Sequence, residues 1–172
     1  MSDVRLHDDR GGAVKVRSAT MADVRPAVAL WEVAGGPTRT PPSVGMAERL
    51  VRTDPEALII AEDAGRVVGT VIVGWDGWRC HLYRLAVDPA HRRRGVATAL
   101  IEAGIARAEA TGAARIDAMV NPTNALGTAF WRASTFTLDE VERRWSLVVP
   151  PSSATPVPAD GRVVRPGADQ RC

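Results

Sequence analysis

The sequence predicts an α/β domain of the α+β kind, with a mixed central sheet and the element order β-α-α-β-β-β-α-β-α-β. Three observations carry that expectation. The apolar pattern switches repeatedly between a two-residue and a helical period over residues 13–149. Three successive runs rich in β-formers, Ala57–Glu62, Val67–Trp75 and Arg79–Val87, are separated only by short turn sequences and read as an antiparallel meander. The last of them leads through a basic, glycine-containing turn into a long Ala-rich helical pattern.

Val14 and Val16 alternate with Lys15 and Arg17 as the first strand. Thr20-Met21-Ala22-Asp23 has the form of a capping box and opens a helix through about Val33, with Pro26 tolerated near its first turn. Gly35 to Pro42 holds too many Gly and Pro residues for regular structure, so it is a loop suited to substrate contacts before a second helix from Val44 to Arg52. Asp63-Ala64-Gly65-Arg66 and Asp76-Gly77 turn the meander, the latter as a strong hairpin signal. From Gly95 to Thr111 the pattern places Val96, Leu100, Ala103 and Ala110 near one helix face, with Gly112 as the stop. Arg115 to Val120 then reads as a strand, Pro122 to Ala133 as a helix with proline in its first turn, and Glu140 to Val149 as a closing strand.

A chain of 172 residues suits one domain with a hydrophobic core rather than two. The polar residues 1–12 and the Pro-rich residues 150–172 are expected to be disordered around a domain at 13–149. With 45% hydrophobic and 24% charged residues, and no apolar run able to span a bilayer, no membrane association is expected. The N-terminal residues lack an apolar secretion signal, which points to the cytoplasm. Cys80 and Cys172 make neither a disulfide framework nor a zinc site, so free thiols and no metal are expected. The 22 basic and 20 acidic residues lack the one-sided balance of a nucleic-acid-binding domain, although arginines bunch at positions 92–94.

That bunching stands at a particular place. The strand Leu82-Tyr83-Arg84-Leu85-Ala86-Val87 runs through Asp88-Pro89-Ala90-His91 into Arg92-Arg93-Arg94-Gly95-Val96-Ala97-Thr98, where the helix opens. A helix start leaves backbone N–H groups without partners, and its dipole adds roughly half a positive charge, so a polyphosphate is held there by the backbone itself. Gly95 and the small Ala97 allow close approach, and the arginines pair with phosphate oxygens.

In these residues the chain resembles the GNAT superfamily of N-acetyltransferases, whose signature is Arg/Gln-x-x-Gly-x-Gly/Ala after a strand ending in Leu-Ala-Val. Arg92, Gly95 and Ala97 fill its three fixed positions, and Asn124 with Phe130-Trp131 and Phe136 stands in the register of a second family landmark. The resemblance covers residues 14–149. It implies the GNAT fold, with acetyl-CoA as cosubstrate and the strand of Leu85, Ala86 and Val87 splaying from the next at a bulge. Those three residues then line the pantetheine arm, Arg92, Arg93, Arg94, Gly95, Val96, Ala97 and Thr98 hold the pyrophosphate, and Asn124 contacts the arm. The Val87 N–H would polarise the thioester carbonyl. The reaction implied is direct transfer of the acetyl group to a primary amine of a small molecule or peptide, without a cysteine nucleophile.

The acceptor amine must lose a proton, and family members often supply a base on this strand. His81 and Tyr83 are the catalytic candidates: counted from Leu-Ala-Val, they occupy the positions of two histidines in arylalkylamine N-acetyltransferases, and His81 matches the glutamate base of histone acetyltransferases. An imidazole, with its ordinary pKa of about 6.5, suits the task; the other reading of His81 is packing within the strand. Where many relatives carry a tyrosine that protonates the departing thiolate, the chain has Trp131, which is no acid at neutral pH. Tyr83, the only tyrosine, or water then takes that role or it goes unfilled. Met119, where ribosomal-protein N-terminal acetyltransferases carry a glutamate, disfavours that subfamily. Trp75 and Trp78 read as a cross-strand aromatic pair or as acceptor contacts, Glu32 and Arg39 as surface charges or acceptor selectors, and Asp117 as a weaker base candidate than His81. A catalytically poor acyl-CoA-binding or sensing domain is the competing function, and dimerisation through sheet edges or the last strand stays open.

Overall fold

The computed structural model describes residues 4–7, 13–34 and 41–142. The chain separates into Met1–Glu140 and Val141–Cys172, and every element named here belongs to the first unit. Arg39 and most of the expected loop and closing strand lie outside the described residues, and Glu140–Glu142 are not strand.

Among the described residues six strands form one sheet in sequential order: β1 (Val4–His7), β2 (Ala13–Ser18), β3 (Leu58–Asp63), β4 (Arg66–Trp75), β5 (Cys80–Val87) and β6 (Ile116–Ala118). All neighbours are antiparallel except β5 and β6. β1 corrects the expectation of disorder through residue 12. It pairs Val4 with Val16 and Leu6 with Val14, because the edge of β2 offers backbone partners whatever the polarity of the side chains.

Except for the one that follows Gly95, the helices begin where side chains satisfy their first N–H groups. The Asp23 carboxylate accepts from both the Thr20 N–H and the Thr20 hydroxyl at 2.7 Å, across a single 3-10 turn that leads into α1 (Val24–Ala34). Ser43 caps α2 (Val44–Thr53), and Gly95, at φ 77°, turns the chain into α3 (Val96–Ala110). The expected helix from Pro122 starts later, as α4 (Ala125–Arg132), because Asn121 Oδ1 draws the Thr123 N–H into a turn and Asn124 Oδ1 caps Gly127 N at 3.0 Å.

Each face of the sheet buries its own core. On one, Val71, Val73 and Leu82 pack with Val96, Leu100 and Ala103 of α3. On the other, Ile60, Ile72 and Ala86 pack with Val24, Ala27 and Trp31 of α1 and Ala47 and Val51 of α2. The helix α3 sits close because Gly69 of β4 has no side chain: a Cβ there would lie 2.8 Å from Val96 Cγ1 and 2.9 Å from Leu100 Cδ1. The expected face of α3 turns slightly at its end. Ala110 is exposed, while Arg107 is buried, its guanidinium bonded to Asp54 at 2.6 Å and Glu56 at 3.0 Å in the connection between α2 and β3. Arg17 plays the corresponding part on the other face, joining Asp23 at 2.8 Å to Glu62.

Two outcomes follow from these contacts. Gly69→Ala is expected to cost about 1–3 kcal/mol, because the added methyl must push α3 outward; thermal unfolding showing an unchanged Tm would refute the close fit. The Arg17 guanidinium, with the Thr20 hydrogen bonds, holds the Asp23 carboxyl at about 2, below its ordinary 3.8. Its stabilisation, on the order of 2 kcal/mol, is therefore complete above pH 3.8 and lost as pH falls toward 2. Urea unfolding between about pH 5 and 2 should show Asp23→Asn with a flatter stability profile than the parent chain.

Candidate active site

The site begins with one extra residue in β5. Ile72 pairs with Tyr83 but Thr70 pairs with Ala86, so Arg84 and Leu85 together oppose Val71. Arg84 adopts φ 57°, a left-handed conformation that a residue with a side chain rarely takes. Thr70, fully buried, donates its hydroxyl to the Arg84 carbonyl at 3.0 Å and accepts from the Trp31 indole N–H at 2.8 Å. The Arg84 guanidinium lies 5.4 Å above the same Trp31 ring.

This bulge resets the pleat. Before it, Cys80 and Leu82 face α3, and His81 and Tyr83 face α1 and α2; after it, Leu85 and Val87 pack toward α3 and Ala86 toward α1. The strand β6 pairs with β5 only at Cys80, His81 and Leu82, so among the described residues the β6-facing edge of β5 carries no ladder from Tyr83 to Val87. Two N–H groups point out along it. A trans peptide sets its N–H opposite its carbonyl, so holding the Arg84 carbonyl on Thr70 aims the Leu85 N–H away from β4. Ala86 faces β4, as does the Asp88 N–H, which donates to Val68 at 2.9 Å, so the intervening Val87 N–H also faces out.

The basic turn follows the open end of this strand. Asp88 Oδ1 accepts from Ala90 N at 2.8 Å, and His91 Nε2 lies 3.2 Å from Asp63 Oδ2, which ties the turn to the end of β3. Arg92 Nε donates to the Val87 carbonyl at 3.4 Å. Arg93 at φ 62° and Gly95 at φ 77° then wind the chain into α3. Arg92, Arg93, Gly95 and Thr98 are exposed and Arg94 and Ala97 half-buried, whereas Val96 points into the core and offers only its backbone. The structure thus brings the open edge of β5 and the N-terminus of α3 together.

His81 and Tyr83 lie on the α1/α2 side. The register places His81 between Gly74 and Asp117, and its ring nitrogens are 3.8 Å from Asp76 Oδ2 and 4.0 Å from Asp117 Oδ2. Asp76 is held ionised, below the usual carboxylate range, by the N–H groups of Arg79 and Trp78. Sequence reasoning treated Asp76 only as a turn residue and could not see Asp117 beside His81, because the β5/β6 register is set in three dimensions. The Tyr83 ring rests against Gly74, where a Cβ would lie 3.3 Å from it. Burial, reinforced by the nearby Asp54 charge, pushes the Tyr83 phenol above its ordinary range.

Asn124 has its oxygen committed to the α4 cap. Trp131 packs edge-on between Phe130, at 5.4 Å, and Phe136, at 4.8 Å, against the α3-side core. The expected Trp75–Trp78 pair does not form: Trp75 packs on that same core, while Trp78 is 75% exposed. Trp78 lines a cleft of about 410 Å³ with Asp76, Arg79 and Arg115, beside His81. Cys80 is buried. Among the described residues no cluster of His, Cys, Asp or Glu is arranged to hold a metal ion, and no helix is long and apolar enough to cross a membrane.

Known proteins resemble this chain. An acetyltransferase of Sodalis glossinidius (strain morsitans) is 42% identical over 77 residues, which are 45% of this chain and 54% of that protein. One from Yersinia enterocolitica is 40% identical over 77 residues, covering 45% and 55%. The matches thus span about half the length of these relatives. The aminoglycoside N-acetyltransferase AAC(6')-Iy, solved in complex with CoA, superimposes with a TM-score of 0.66 over 81% of this chain and 97% of its own at 20% identity. Ard1 from Thermoplasma volcanium gives 0.65 over 73% and 84%, also at 20% identity. At these identities the likeness is one of fold. Residues 23–136 match the profile of the acetyltransferase (GNAT) family, and with the bulged strand, the open edge and the turn into α3, the chain belongs to that family.

Proposed function

We propose that the protein is an acetyl-CoA-dependent N-acetyltransferase that receives its cosubstrate along the open edge of β5 and transfers the acetyl group directly to a primary amine of a small molecule or peptide. The observation that carries this reading is the continuity between the edge of Tyr83–Val87 that lies beyond the β6 ladder and the glycine-turned N-terminus of α3. The pyrophosphate sits on the N–H groups of Gly95, Val96, Ala97 and Thr98, with Arg92, Arg93 and Arg94 around it. The pantetheine arm then runs back along Val87, Ala86 and Leu85 like an added strand, with Asn124 on its far side.

The order of groups along the cosubstrate decides which N–H does what. Val87 is nearer the pyrophosphate and meets a pantetheine amide, so the thioester carbonyl falls to the Leu85 N–H, further from it. The amine nitrogen attacks the thioester carbon from the side of His81, which takes up the proton the amine releases. The C–S bond breaks, and Tyr83, kept protonated by its surroundings, is placed to return a proton to the sulfur. Asp76 and Asp117 flank His81 and orient it, and the cleft beside them admits the acceptor. A reaction that consumes acetyl-CoA fits a cytoplasmic setting.

A thiol-release assay with acetyl-CoA and a panel of amines, aminoglycosides and peptides tests the activity and names the acceptor class. His81→Ala should lower turnover by about 10²-fold or more while calorimetry shows acetyl-CoA binding retained. Unchanged turnover in that variant from about pH 6 to 9 would remove His81 from the chemistry. Tight acetyl-CoA binding with no thiol release from any acceptor would make the protein a sensing domain instead. Because Tyr83 is the only tyrosine, absorbance near 295 nm titrates it alone. Its midpoint should lie above 10.0 in the folded protein and fall in Asp54→Asn.

A further inference from the structure

The geometry points to Thr70, backed by Trp31, as the positioning residue that aims the thioester-binding N–H of β5, an inference that rests on the proposed acetyltransferase reading. Neither side chain faces the open edge: Thr70 is fully buried in β4 and Trp31 lies in α1. They act through the bulge. The Trp31 indole N–H donates to the Thr70 oxygen at 2.8 Å, which orients that hydroxyl so that its one proton goes to the Arg84 carbonyl at 3.0 Å.

Three consequences follow from that one hydrogen bond. It gives a donor to a carbonyl that the bulge has taken out of the ladder. It offsets the cost of a left-handed Arg84, on the order of 1–2 kcal/mol for a residue with a side chain. Through the planarity of the peptide it fixes the direction of the Leu85 N–H. Without the hydroxyl the Arg84–Leu85 peptide loses the hydrogen bond that favours this conformation over an unstrained extended one. Rotation to the extended form would turn the N–H off the open edge and slip the pleat that separates the His81 face from the Leu85 face. The Arg84 guanidinium over the Trp31 ring holds the same turn from the side-chain direction.

The test compares Thr70→Val, which keeps the shape and removes the hydroxyl, with Thr70→Ser, which keeps the hydroxyl, and Trp31→Phe, which keeps the ring and removes its N–H. Thiol release should show kcat reduced at least about tenfold in Thr70→Val, with KM for acetyl-CoA within about twofold, and most of the rate restored in Thr70→Ser. Trp31→Phe should fall between. In ¹⁵N-labelled protein, acetyl-CoA should shift the Leu85 amide resonance in the parent chain and in Thr70→Ser but not in Thr70→Val. A purely structural role would instead lower Tm equally in Thr70→Val and Thr70→Ser and leave kcat of the folded protein and the Leu85 shift intact, which overturns the inference. A parent chain that shifts Leu85 on binding yet turns over no acceptor defeats the acetyltransferase reading and leaves the resonance comparison to decide the role of Thr70. A parent chain in which acetyl-CoA leaves Leu85 unmoved defeats the inference.

Discussion

The extra residue that β5 carries at Arg84 shifts its pleat by one, and the arrangement of the site depends on that shift. On its N-terminal side the strand turns His81, still paired with β6, and Tyr83 to the face that α1 and α2 cover. On its C-terminal side it presents Leu85 and Val87 to the α3 core and leaves its edge open. One continuous strand can serve an acceptor on one side and a cosubstrate along its edge only if its alternation is interrupted between the two. The interruption is costly in backbone terms, and at it the Thr70 hydroxyl, itself held by the Trp31 indole, meets the Arg84 carbonyl.

The rest of the scaffold holds the two neighbours of that strand in place. The absence of a side chain at Gly69 sets how closely α3 approaches the sheet, and therefore where its N-terminus lies relative to the open edge. Arg107 ties the other end of α3 to Asp54 and Glu56. Arg17, Asp23 and Glu62 fasten the start of α1, the helix that brings Trp31 over Arg84. Both clusters pair an arginine that is less than a quarter exposed with two carboxylates, the arrangement in which ionised groups are tolerated away from water. Electrostatics here serves geometry.

Membership of the GNAT family rests on the profile match and on this architecture, while the solved relatives at 20% identity contribute the fold. The proposed acceptor side is assembled from separate elements. Asp76, His81 and Asp117 come from a turn and two different strands, and the adjoining cleft mixes Asp76 with Arg79, Arg115 and the exposed Trp78. Charges of both signs with an aromatic face suit an acceptor that is itself polar.

The sequence alone determined the elements whose cause is local. The meander, the capped start of α1, the glycine-turned start of α3 and the arginine turn were all legible, because capping, turn chemistry and periodicity act within a few residues. Where a local signal had two outcomes, the reading slipped. Pro122 suggested a helix start that Asn124 supplies two residues later, and polar residues before position 13 concealed a strand that needed only an edge to pair with. The family resemblance implied a bulge in this strand, but tertiary structure alone decided its place at Arg84 and the company that His81 keeps. Nothing in Tyr83-Arg84-Leu85 announces a left-handed arginine, since the hydroxyl that stabilises it lies fourteen residues away in Thr70 and the indole behind that another thirty-nine. Asp117 likewise reaches His81 only through a parallel register that no spacing encodes. Both are contacts between distant segments, and their energies exist only once the chain has closed around them.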